Sequence, residues 1–213
     1  EWGRFPELEV VRFVMRHFGD ADRQSCRLLE IGCGPGANLM FMAAEGFDAY
    51  GIDGSEVAIN QARHRMTGQK LQAALEIGDV TELPYEDETF DAVIDCECLY
   101  ANNLVSTALI LDETKRVLKP GGKFLSITFA TGTYGDGLGE RVDGEPNTYS
   151  RLHEGALHSD YGLTRFTDFD EIENIYGKNF HVDSVESIVR TLDQRAHEIR
   201  EWIIICTKEV QKS

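Results

Sequence analysis

Glu30, Gly32, Gly34 and Gly36 alternate along the segment EIGCGPG, and Asp53 follows Gly32 by 21 residues. Glycines at this spacing remove side chains where the backbone must turn tightly and let a ligand lie against the main chain. A helix that follows offers unpaired N–H groups. A carboxylate ending the next strand is placed to accept hydrogen bonds from both hydroxyls of a ribose. Each such charge-assisted bond contributes roughly 1.5–3 kcal/mol. The pattern therefore predicts a ligand that contains an adenosine. Two chemistries remain open on this spacing. One is hydride transfer with a dinucleotide, for which Ala37 stands where the last glycine or alanine of the loop would fall. The other is the chemistry of an adenosine sulfonium, whose loop is more compact. A glycine turn by itself also serves as a plain strand-to-helix connection.

These residues need strands and helices to hold them. Arg27 to Ile31, Ala49 to Ile52, Leu75 to Gly78, Ala92 to Asp95 and Lys123 to Thr128 read as short apolar strands bounded by glycine or acidic residues. Between them, Asn38 to Glu45 has a helical pattern closed by Gly46. Ser55 caps a second helix with Ala58, Ile59, Ala62 and Met66 on one face, and Val105 to Leu118 forms a third that stops at KPGG. Alternating strands and helices imply right-handed crossovers and a mostly parallel sheet covered on both sides. After Thr128 the texture changes. About residues 130–166 are rich in glycine, polar residues and histidine, with little periodicity, and are expected to form an insertion over the ligand crevice. A helix near Asp168 to Tyr176 is then predicted, followed by Val182 to Val189 and Glu198 to Lys208 as an antiparallel pair. At the other end, Trp2, Arg4 and Phe5 precede an amphipathic helix with Val10, Phe13, Val14 and Phe18 on one side.

The 213 residues suit one domain with a sizeable core, and they carry a formal charge of −16. No cluster of Lys and Arg tracks a phosphate backbone, so binding to nucleic acid or an anionic membrane is electrostatically opposed and a small acceptor is expected. Five cysteines, Cys26, Cys33, Cys96, Cys98 and Cys206, lack framework spacing, which points to a reducing compartment and a cytoplasmic location. Cys96 and Cys98 have no second pair or nearby histidine to complete a zinc set, so no metal is expected. No apolar run approaches the length of a membrane span, and no secretory leader pattern opens the sequence.

Four stretches, EIGCGPG, GIDGS, GDVTELPYEDETFDAVIDCECLY and VLKPGGKFLSIT, occur in this order between Leu28 and Thr128. Together they resemble the class I S-adenosylmethionine-dependent methyltransferases. The resemblance implies a Rossmann-like, doubly wound α/β fold. Its seven-stranded sheet would be mostly parallel with a reversed C-terminal strand. Residues 1–213 would be a single methyltransferase domain with an N-terminal lid over 1–20. It further implies that Glu30 and the loop Gly32, Cys33, Gly34 and Gly36 border the methionine part of S-adenosylmethionine, with Glu30 reaching its ammonium. Asp53 would hold the ribose, with Gly54 and Ser55 shaping its rim. Asp79 would accept from the adenine amine and Val80 would contact the ring, while Asp95 and Cys96 would lie beside the methionine moiety and the transferring methyl. S-adenosylhomocysteine would be the product.

Methyl transfer from a sulfonium needs in-line approach and exclusion of water more than an acid or base, and orientation alone can be worth about 7–11 kcal/mol. The fold therefore demands no catalytic side chain. Candidates to contact the acceptor are Tyr100, Asn102 and Asn103 after the fourth strand, and Tyr134, His153, His158, Tyr161 and Arg165 in the insertion. Either histidine would serve as a base. Arg165 could bind an acceptor carboxylate or phosphate, although in so acidic a chain pairing with a neighbouring acid is the expectation. The competing readings are a protein or RNA methyltransferase, a nicotinamide-dependent oxidoreductase, and a non-catalytic adenosine-ligand sensor.

Overall fold

The computed structural model describes residues 4–210; Trp2 lies outside them. Five strands alternate with helices as the apolar runs predict: β1 (Arg27–Ile31), β2 (Asp48–Asp53), β3 (Ala74–Ile77), β4 (Phe90–Cys96) and β5 (Leu118–Phe129). With β9 (His181–Leu192) and β10 (His197–Thr207) they form a seven-stranded sheet in the order β3-β2-β1-β4-β5-β10-β9. β10 alone runs against its neighbours, antiparallel to both β5 and β9. The order reverses between β1 and β4, where Ile31 pairs with Ile52 on one side and Asp95 on the other. Parallel sheets bind ligands beyond this point.

Alternate residues of each strand feed two cores. Leu28, Ala92, Ile94, Leu125 and Ile127 pack against α1 (Leu8–Phe18), α2 (Ala37–Ala44) and α3 (Glu56–Gln69). Leu29, Ile31, Val93 and Phe124 pack against α4 (Leu104–Val117) and α5 (Phe169–Tyr176). In α1, Val10, Phe13 and Val14 are buried as the amphipathic pattern requires. Asp168 and Glu171 close a capping box on α5, which fixes where the chain re-enters the fold.

The stretch with little periodicity is more ordered than its composition implies. β6 (Glu140–Arg141), β7 (Thr148–Leu152) and β8 (Ser159–Arg165) form a separate antiparallel sheet. Phe129, Tyr149, Leu152 and Phe166 make a third, smaller core beneath it, and Tyr100 packs edge-on against Phe129 at 5.0 Å. β8 lies against the turn Leu99–Ala101, so the small sheet sits over the segment that leaves β4. No helix among the described residues is long and apolar enough to cross a membrane.

Candidate functional site

The glycine loop turns directly out of β1. Gly32 has φ +64°, and a Cβ there would stand 2.5 Å from both Cβ and Sγ of Cys98. Gly34 also has a positive φ but faces open space. Gly32 therefore serves packing, whereas Gly34 leaves room for a ligand. Gly32→Ala should lower stability by about 2 kcal/mol through combined left-handed strain and overpacking, whereas Gly34→Ala meets only the strain. Urea denaturation of the two variants checks this, and equal midpoints would refute it.

Asp53 ties the loop to the second strand. Its Oδ2 accepts from the Gly34 N–H at 2.8 Å and its Oδ1 from the Ser55 N–H at 2.8 Å. Each oxygen retains a second lone pair for a hydroxyl. Ser55 in turn caps α3, and Gly54 and Ser55 are exposed at the rim.

Between the loop, the N-terminal segment and the end of β4 lies a cavity of about 300 Å³. Three carboxyl groups line it, from Glu7, Glu30 and Glu97, together with Gly32, Gly34, Cys96 and Arg190. Glu30 is buried; its Oε1 accepts from Asn38 Nδ2 at 2.7 Å, and its Oε2 has no partner. Burial pushes its carboxyl up to about 8, against the lowering effect of the Asn38 bond. Asn38 Oδ1 also accepts from the Glu7 N–H at 2.8 Å, so one amide joins the N-terminal segment to Glu30. Burial, then the charge and contact of Glu201, raises Glu97 above the ordinary carboxyl range. Glu201 is held by Arg190 Nη2 at 3.2 and 3.1 Å. Burial likewise raises the thiols of Cys33, Cys96 and Cys98, which disfavours a thiolate nucleophile. A larger hollow of about 470 Å³, lined by Arg63, Met66, Thr67 and Leu71 among others, contains none of the glycine loop.

The remaining predicted residues divide into two groups. At the end of β3, Oδ1 of the exposed Asp79 accepts from Thr81 N at 2.8 Å and Oγ1 at 2.7 Å, which lowers its carboxyl; Val80 packs partly into the sheet. Asp95 is fully buried, and its side chain serves its own loop: Oδ1 accepts from Cys98 N at 2.8 Å and Leu99 N at 3.1 Å, and Oδ2 from Ser126 Oγ at 2.5 Å. Burial raises its carboxyl to about 6. These bonds fix the turn that carries Cys96 and Glu97. Away from the cavity, His153 and His158 are exposed, and Tyr161 is 87% exposed. Asn103 caps α4, Asn102 bonds Cys98 O, and Tyr134 stacks on His197. Among the described residues no group of three or more His, Cys, Asp or Glu is arranged to hold a metal. Sequence reasoning missed Glu7, Asn38, Glu97 and Arg190. Only Asn38 carried a local signal, as the second residue of the helix after the loop.

Residues 28–122, which include the loop, Asp53, Asp79 and Asp95, match the family described as a methyltransferase domain. Over this stretch, 95 of the 213 residues, the chain is similar to methyltransferase domains. A demethylmenaquinone methyltransferase of Clavibacter sepedonicus is 35% identical over 105 residues, which are 49% of this chain and 42% of that protein. The matched stretch thus spans well under half of that relative. Among solved structures, an S-adenosylmethionine-dependent methyltransferase of Methanosarcina mazei superposes with a TM-score of 0.71 at 22% identity, covering 87% of this chain and 93% of that one. The 1,6-didemethyltoxoflavin-N1-methyltransferase of Burkholderia thailandensis, solved with 1,6-didemethyltoxoflavin and S-adenosylhomocysteine, gives 0.71 at 15% identity, covering 95% and 78%. At these identities both establish the fold alone.

Proposed function

We propose that the chain binds S-adenosylmethionine in the carboxylate-lined cavity and transfers its methyl group to a small-molecule acceptor. One observation carries this reading: Glu7, Glu30 and Glu97 face a cavity of about 300 Å³ beside an open glycine loop. A ligand with both an ammonium and a sulfonium suits such a lining, and a pyrophosphate does not. Glu30 Oε2, buried without a partner, takes the ammonium. Asp53 takes the ribose hydroxyls, Asp79 the adenine amine and Val80 the ring. Asp95 acts through Ser126 and the turn it holds, and so positions Cys96 and Glu97 beside the methyl.

In the transfer, the acceptor's lone pair forms the new bond to the methyl carbon as the carbon–sulfur bond breaks. The bonding pair returns to sulfur, leaving S-adenosylhomocysteine, and the acceptor gives its proton to water or a base. The small sheet β6-β7-β8 forms the acceptor-side lid, with Tyr100, His153 and His158 as the side chains to test there. Small acceptors are supported by the charge of −16 and by the names of the similar enzymes, which act on demethylmenaquinone and 1,6-didemethyltoxoflavin. A reducing compartment such as the cytoplasm is supported by five free cysteines. Calorimetric titration with S-adenosylhomocysteine tests the reading. Micromolar binding is expected; no binding at millimolar ligand would overturn it.

A further inference from the structure

Arg165 ends β8 and is 1% exposed, yet its Nε, Nη1 and Nη2 all lack a hydrogen-bond partner. A guanidinium stays charged and carries five N–H donors. Buried without acceptors, it is among the costliest groups a fold can hold. The ion pair expected from so acidic a chain does not form. Asp95 is near enough for its charge to be felt, but no hydrogen bond joins the two side chains, and the Asp95 oxygens accept from Cys98 N, Leu99 N and Ser126 Oγ. Ser126 Oγ is itself shared with the Tyr176 hydroxyl at 2.9 Å.

Of five buried hydroxyls that are unpartnered as well, three belong to Thr107, Thr128 and Thr167. Thr107 lies in the first turn of α4, Thr128 next to the end of β5, and Thr167 two residues after Arg165, in a segment bridged to Ala130 just beyond β5. All come from segments at the carboxyl edge of β4 and β5, the edge where parallel sheets bind ligands. The cation supplies donors only, and each hydroxyl adds a further donor.

We infer that Arg165 is an oxyanion subsite for the acceptor, receiving a carboxylate or phosphate group by paired N–H···O bonds beneath β8. The inference rests on the methyl-transfer reading, and it narrows the acceptor to a small molecule bearing such a group. The unpaired cation is then a cost of the empty state that the acceptor's charge offsets.

The test uses the protein loaded with S-adenosylhomocysteine, titrated at constant ionic strength with benzoate, phenyl phosphate and the neutral ester methyl benzoate. At least one of the two anions should bind about tenfold or more tightly than the ester, and which one distinguishes carboxylate from phosphate. Arg165→Met should remove that preference, and Arg165→Lys should keep part of it. The ligand-free Met variant should melt no lower than the parent, because it loses a buried cation whose N–H donors have no acceptor. Equal binding of anions and ester, no anion binding, a preference that survives in Arg165→Met, or a clear fall in its melting temperature would each overturn the inference. The titration with S-adenosylhomocysteine separates this from failure of the cofactor assignment, since Arg165 should not affect it.

Discussion

Asp53→Ala should weaken S-adenosylhomocysteine binding by about tenfold to a hundredfold, roughly 1.4–2.7 kcal/mol. Two losses add. The ribose hydroxyls lose their acceptor, and Gly34 and Ser55 lose the oxygens that hold their N–H groups at 2.8 Å. Asp53→Asn separates the two, because its single carbonyl oxygen can keep one of those bonds but cannot serve both the loop and the ribose. It should fall between the parent and the alanine variant. Calorimetry gives the affinities and thermal denaturation reports whether the loop is still held. Parental affinity in a folded Asp53→Ala protein would exclude the ribose role.

Binding should also strengthen as pH rises toward about 8, by up to about tenfold per unit where Glu30 is mostly protonated. In the ligand-free protein burial holds the Glu30 carboxyl near 8, whereas the ammonium of the ligand needs a carboxylate. Binding at pH 7 therefore expels a proton, and the gain ends once Glu30 is already ionised or the ligand amine deprotonates. Stability of the empty protein follows the opposite course. A carboxyl raised on folding contributes most below its ordinary value of 4.5, and that contribution fades as pH climbs through about 8. Titrations in buffers of different ionisation heat measure the released proton directly. Glu30→Gln should flatten the pH slope of affinity; a parental slope that is already flat would refute the role.

The parallel half of the fold was legible because its signals are local. Leu28, Leu29 and Ile31, with Val93 and Ile94, are apolar and buried on both faces, and the glycine loop and Asp53 lie within one strand-helix-strand unit. The small sheet was not legible. Its pairing joins residues as distant as Thr148 and Arg165 through turns rich in glycine, and only a few side chains, such as Tyr149 and Leu152, reach a core. The cavity was half legible for the same reason. Glu97 lies between two cysteines that drew attention to thiols, and its carboxyl acquires meaning only when β9 and β10 bring Arg190 and Glu201 beside it. Arg165 departed from expectation because the acids of the chain are mostly on the surface, while β8 carries the guanidinium inside.

The place of β10 sets an order on biosynthesis. It is the last of the described strands to leave the ribosome, yet it occupies an interior position, inserted between β5 and β9. A nascent chain that has released only β1 to β9 leaves the edge of β5 unpaired, with Phe124, Leu125 and Ile127 lacking the cover of Ile203, Ile204 and Ile205. Such an edge invites association with other chains. Completion of the sheet therefore waits until residue 207 has been made and released, and arrest of synthesis before β10 should yield a protein that depends on a holdase chaperone to stay in solution.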